Sequence, residues 1–127
     1  MKTSDLSGPA LNWAVAKCED RKPGYYKGEV RANAIPEFPD SPPMFGPELN
    51  YSTDWAQAGP IIEREEIDLK FVEEGVWQAS NVFDDIAFHH FKGPTPLIAA
   101  MRCYVASKLG DEIEIPESLS FTDLATA

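Results

Sequence analysis

The sequence predicts an α+β fold in which a buried C-terminal helix packs with a short antiparallel sheet and an N-terminal helix. Three observations carry that prediction. From Pro96 to Gly110 the only charge before Lys108 is Arg102, and Leu97, Ile98, Met101, Tyr104, Val105 and Leu109 surround it. A helix that is apolar almost all round is a buried one. Ile67, Leu69 and Phe71 alternate with Asp68 and Lys70, which is the period of a half-buried strand. The strand-like runs cluster between helical ones without regular βαβ alternation.

In chain order, Ser7 and Pro9 mark the start of a helix over about Gly8 to Glu19. Leu11, Ala14, Val15 and Cys18 supply its buried face, and Trp13 falls off the centre of that stripe. Between Glu19 and Asn50, Tyr25, Tyr26, Val30 and Ile35 permit a short strand or hairpin. Prolines 36, 39, 42, 43 and 47 then impose an ordered loop over about 36–47, packed through Phe38, Met44 and Phe45. Ser52-Thr53-Asp54 caps a helix beginning at Trp55, which Pro60 is expected to interrupt at Gly59. The strand at Ile67 turns at Glu73-Glu74-Gly75 into a second strand through Val76, Trp77 and Ala79. Residues 81–91 fit neither helical nor strand period. Thr95 caps the buried helix, Pro96 fits its first turn and Gly110 stops it. Ile113 and Ile115 predict a short edge strand, and the last ten residues cap the fold or fray.

Length and composition set further bounds. At 127 residues, 43% of them hydrophobic, the chain is long enough to bury a core without staples and reads as one domain, 1–127. A net charge of −10 and a pI near 4.5 argue against general nucleic-acid binding, which needs clustered Lys and Arg. Cys18 and Cys103 sit in apolar helical patterns and read as free thiols in a reducing cytosol, with no C-x-x-C pair for zinc or redox work. No apolar run reaches membrane-spanning length, so a cytoplasmic protein is expected.

Three blocks carry a resemblance. Leu6-Ser7-Gly8 with Leu11 through Ala16, Ser52 through Glu65, and Thr95 through Leu109 followed by Gly110 to Pro116 resemble the NinX-type proteins of tailed bacteriophages. These blocks cover about half the chain and omit the Pro-rich middle. The resemblance implies a small accessory protein encoded by a phage and acting in the bacterial cytoplasm. It brings no activity and no set of functional residues.

Candidate chemistry centres on aromatic and polar side chains. Trp55 offers a stacking face, Asp54 and Gln57 fixed polar groups, and Gly59 close backbone approach. Trp13 and Asn12 complete a pocket for a planar ring if they line the same cleft; as core residues, with Asp54 only a cap, they do not. Arg102 matches a phosphate through its planar fork of donors, or pairs internally with Glu63, Asp84 or Asp85. Asp84, Asp85, His89 and His90 form the one cluster resembling an acid–base or metal site, yet no third ligand completes it. Nucleophile elbows, P-loops and zinc-hydrolase motifs are absent.

These residues point to a non-catalytic binder of a small, planar, nucleotide-like ligand, using Asn12, Trp13, Asp54, Trp55, Gln57, Gly59 and Arg102. No catalytic residue, metal or cofactor is assigned. In a phage protein such binding suits sequestration of a host nucleotide signal, a counter-defence role. The alternative is a protein-interaction module that occupies a host or phage partner through the acidic surface and the 36–47 loop. A small hydrolase around Asp84, Asp85 and His89 ranks third. A homo-oligomer is expected, with the pocket at a subunit boundary.

Overall fold

The computed structural model describes residues 1–32, 35–36, 43–44, 46–81 and 89–116. A 3-10 turn (Thr3–Asp5) leads into α1 (Gly8–Cys18). Four short strands follow: β1 (Gly24–Tyr26), β2 (Glu29–Arg31), β3 (Ile35–Pro36) and β4 (Pro43–Met44). Then come α2 (Trp55–Arg64), β5 (Asp68–Glu73), β6 (Val76–Asn81), β7 (His89–Gly93) and α3 (Pro96–Leu109). Every strand pairing among the described residues is antiparallel: β1 with β2, β3 with β4, and a three-stranded sheet ordered β5-β6-β7. This is the small α+β architecture that the sequence predicts.

The helix α3 organises it. Thr95 Oγ1 accepts the Ile98 N–H at 3.2 Å, which satisfies one of the first-turn donors that have no partner inside the helix. Gly110, at φ +90°, ends the helix in a conformation that costs glycine little. Leu97, Ala99, Ala100, Met101, Cys103, Tyr104 and Val105 are buried. One side of α3 lies on β5, β6 and β7, while α1 and α2 cover the rest. Gly93 lets the sheet come close: a Cβ there would stand 2.7 Å from the Ala99 backbone nitrogen.

α1 buries Leu11, Ala14 and Val15 along the expected stripe, together with Ala10, Asn12 and Ala16. Ser7 occupies its N-cap position without a side-chain cap bond. β1 and β2 form a hairpin across Lys27 and Gly28, both at positive φ, the requirement of a tight two-residue turn whose twist matches the strands. In the Pro-rich region Ile35 pairs with Met44 and Pro36 with Pro43; residues 37–42 and 45 lie outside the described residues.

Two expectations are corrected. Pro60 does not interrupt α2, which runs unbroken from Trp55 to Arg64. Pro60 and Ala56, whose carbonyl loses its helical donor, are both exposed, so water can replace that bond. Gly59 has no Cβ to clash with the proline ring, which removes most of the usual penalty on the preceding residue. Ile113 and Ile115 do not form an edge strand. One bridge joins Lys2 to Glu112, with Met1 and Ile113 exchanging main-chain hydrogen bonds at 3.0 Å in both directions. The ambiguous stretch divides: β6 extends to Asn81, β7 starts at His89, and residues 82–88 lie outside the described set, as do 117–127.

The sheet is amphipathic in the ordinary sense of strand alternation. Leu69, Ala79 and Phe91 align across the three strands and join the core. Lys70, Gln78 and Lys92 align one residue over, with Lys70 and Lys92 exposed.

Substituting Gly93→Ala should destabilise the fold by about 1–3 kcal/mol, since the new methyl meets main-chain atoms that cannot step aside. A urea-unfolding midpoint unchanged from the parent would show that the sheet and α3 are not held this closely.

Candidate functional site

α2 and α3 begin side by side at a groove of about 240 Å³ lined by Ser52, Thr53, Trp55, Thr95, Leu97 and Ile98, with Pro96 between the last three. Trp55, the first residue of α2, leaves 53% of its surface exposed there. Its position is fixed from two sides. Asp54 Oδ1 accepts the Ala56 N–H at 2.9 Å and caps α2. Asn12, buried on α1, accepts the Ser52 N–H through Oδ1, also at 2.9 Å. Asn12, Asp54 and Trp55 therefore act on one loop, two of them holding the backbone that presents the third.

The other residues singled out in the sequence are placed elsewhere. Gln57 braces the chain before α2: its Oε1 accepts the Asn50 N–H at 2.7 Å and its Nε2 donates to the Glu48 carbonyl at 3.1 Å. Gly59 lies in mid-helix with open space where a Cβ would be. Trp13 packs against the core as a partly buried residue, with Lys17 Nζ 5.4 Å from its ring centroid, and it lines neither groove described here. Arg102 donates from Nε to the Leu6 carbonyl at 2.7 Å and from Nη1 to the Lys92 carbonyl at 2.8 Å. Burial lowers its pKa, against a smaller opposing effect of the Asp5 charge. Its partners are main-chain oxygens, a third option beside a phosphate and an internal carboxylate. Asp84 and Asp85 lie outside the described residues. His89 and His90 pair with Asn81 and Ser80 along β7. Among the described residues no three His, Cys, Asp or Glu side chains gather as metal ligands, and no helix is long and apolar enough to cross a membrane.

A second constellation, unmarked by any sequence motif, forms where α1 and α2 end. Arg64 grips Glu19 with two bonds, Nη1 to Oε1 at 3.1 Å and Nη2 to Oε2 at 2.8 Å. Its Nε donates to Glu65 Oε2 at 2.9 Å, and its guanidinium lies 5.7 Å from the centroid of the Tyr104 ring. The Tyr104 hydroxyl donates to Glu19 Oε2 at 2.5 Å. Lys108 Nζ pairs with Glu65 Oε1 at 3.1 Å. Burial pushes the Glu19 and Glu65 carboxyls up, but hydrogen bonds and charge from Arg64, with Tyr104 or Lys108, outweigh it and hold both below their ordinary values. Burial and the Glu19 carboxylate push the Tyr104 hydroxyl well above its ordinary range. The network borders a cleft of about 220 Å³ that also includes Arg21, Tyr51 and Gln57. Its one signal in the sequence is the tyrosine on a buried helix, since a buried phenol ordinarily finds a polar partner.

Among the described residues, three α-helices and antiparallel strands, with α3 against the three-stranded sheet, define a small α+β protein. The family model described as Bacteriophage P22, NinX matches residues 2–108. The chain belongs to that family and is a phage accessory protein. The match includes the Pro-rich middle. No match was found among curated proteins.

The depressed carboxyls set the direction of acid sensitivity. Their stabilisation is complete above the ordinary carboxylate pKa and is lost as pH falls through their lowered values. Urea-unfolding midpoints should therefore drop below about pH 4, and Arg64→Met should flatten that dependence; a parallel pH profile in the variant would contradict it. The thiols offer a separate check. Burial, aided by Glu19, pushes Cys18 up to about 12; burial, partly offset by the Asn81 backbone, pushes Cys103 up to about 11. A thiol reagent at about pH 8 should label both only after unfolding, and rapid labelling of the native protein would count against it.

Proposed function

We propose that the protein binds a small planar, nucleotide-like ligand against Trp55 and holds it without chemical conversion. The observation that carries this reading is a half-exposed indole on the wall of a groove whose backbone is pinned by Asn12 and Asp54. A large apolar ring left in water and rigidly mounted gains from being covered. Stacking a base on such a ring contributes about 1–3 kcal/mol. At about 240 Å³ the groove is smaller than an ordinary drug-sized site. It fits one ring system, with the remainder of the ligand projecting outward. Leu97 and Ile98 give the ring apolar contact. The first turn of α3, whose peptide dipoles present positive charge, favours a negative substituent such as a phosphate.

In this arrangement the chain supplies position and surface, not a reacting group. Asp54 is engaged as a cap and Thr95 Oγ1 is engaged with the Ile98 N–H, so neither is poised as a nucleophile or base. A phage protein with these properties would act by sequestration, lowering the free concentration of a host nucleotide signal.

Native mass spectrometry of the protein recovered from infected and uninfected bacterial lysates tests this. The expected result is a reproducible small-molecule mass, released intact on denaturation and retained about tenfold less by Trp55→Ala. Arg21→Ala, on the other cleft, should retain it fully. Protein that emerges empty from both lysates overturns the reading, and release of a chemically altered molecule overturns its non-catalytic part.

A further inference from the structure

We propose that β5 is a self-pairing edge through which two copies of this chain join into one continuous antiparallel sheet centred on Leu69. Among the described residues β5 pairs with β6 alone, so alternate residues along its other side present main-chain N–H and C=O groups without a ladder partner. The side chains on this strand are unusually bare: Phe71 is 58% exposed and Val72 43%. Natural edge strands are normally blunted by proline, bulges, shortness or charged side chains, and of these the regular part of β5 carries only the charges of Asp68 and Lys70. Here the ladder is regular from Asp68 to Phe71 and becomes irregular only between Phe71 and Glu73. The regular part is thus a template whose charges restrict the partner it accepts.

Charge selects the register and the occupant. Asp68 and Lys70 are both exposed, and neither forms an ion pair among the described residues. Antiparallel pairing about Leu69 sets Asp68 of each copy opposite Lys70 of the other, twice over, and brings Phe71 opposite the partner's Ile67. Centring one residue later would oppose Lys70 to itself. Centring on Phe71 would run into the irregular end and place Leu69 against Glu73. Like charges directly opposite destabilise a pair, and opposite charges stabilise it. The strand is therefore complementary to itself in one register. The two-fold axis of such a pairing stands perpendicular to the sheet, so both α3 helices lie on the same face. The edge shares no residue with the Trp55 groove, and this inference is independent of the ligand.

Sedimentation equilibrium of the full chain, with Asp68→Lys, Lys70→Asp and the double exchange, tests it. The parent should sediment at twice 14.1 kDa. Each single variant should weaken the dimer by about tenfold or more, and the double exchange should restore it. An equimolar mixture of the two single variants should dimerise as well, since each then supplies the charge the other lacks. A parent that remains monomeric overturns the proposal, as do single variants that dimerise as tightly as the parent.

Discussion

A helix that is apolar on nearly every side can be stable only if other elements cover it on nearly every side. That constraint on α3 arranges the rest of the molecule. The three-stranded sheet takes one face, α1 and α2 take others, and the 3-10 turn closes over the end. Arg102 is the one charge such a helix carries inward, and its solution is specific. By donating to the carbonyls of Leu6 and Lys92, it ties the approach to α1 and the strand β7 to the helix between them. Hydrogen bonds involving a charged group contribute about 1.5–3 kcal/mol each, so the guanidinium serves as a cross-brace between layers.

Polar chemistry in this protein gathers at helix ends. At one end of α2 stand its cap, Trp55 and the start of α3; at the other stand Arg64, Glu65, the residue following α1, and Lys108 in the last turn of α3. A ten-residue helix spans about 15 Å, so the groove and the ionic network sit at opposite ends of a short rigid rod. The first exposes an aromatic surface with few charges, and the second neutralises its charges internally. That contrast is why the ligand is proposed for the groove and not for the richer network.

Local chemistry made much of the fold legible in the sequence. Thr95, Pro96 and Gly110 bracket α3, Asp54 caps α2, and the alternation at Ile67 to Phe71 marks β5, because each signal depends only on neighbours in the chain. Pro60 misleads for the same reason: its cost depends on the exposure of Ala56 and the missing Cβ of Gly59, which a local rule does not weigh. The site was less legible. Asn12 and Ser52 are 40 residues apart, Glu19 and Tyr104 are 85, and no spacing rule connects them. Gln57 and Trp55 are two residues apart on a helix and point to different grooves, which follows from helical geometry once the register is known. Arg102 was recognisable as needing a partner, but carbonyl oxygens leave no imprint on side-chain composition.

The tie between the first residues and the segment after α3 bears on how the chain comes into being. Thr3 is fully buried, donates from Oγ1 to the Gly110 carbonyl at 2.6 Å, and receives support from Asp111 through its own N–H. These partners lie more than a hundred residues downstream, and synthesis proceeds from the N-terminal side at several residues each second. α1 therefore leaves the ribosome with its apolar stripe uncovered, and α3, which covers it, is made only after the residues between them. Contacts of such long sequence separation slow folding through the entropy of closing a large loop. Until then the apolar residues of α1 have no partner, and a helix of 11 residues is marginal by itself in water. The same residues that give the finished molecule its buried centre therefore gain their order only when the far segment arrives.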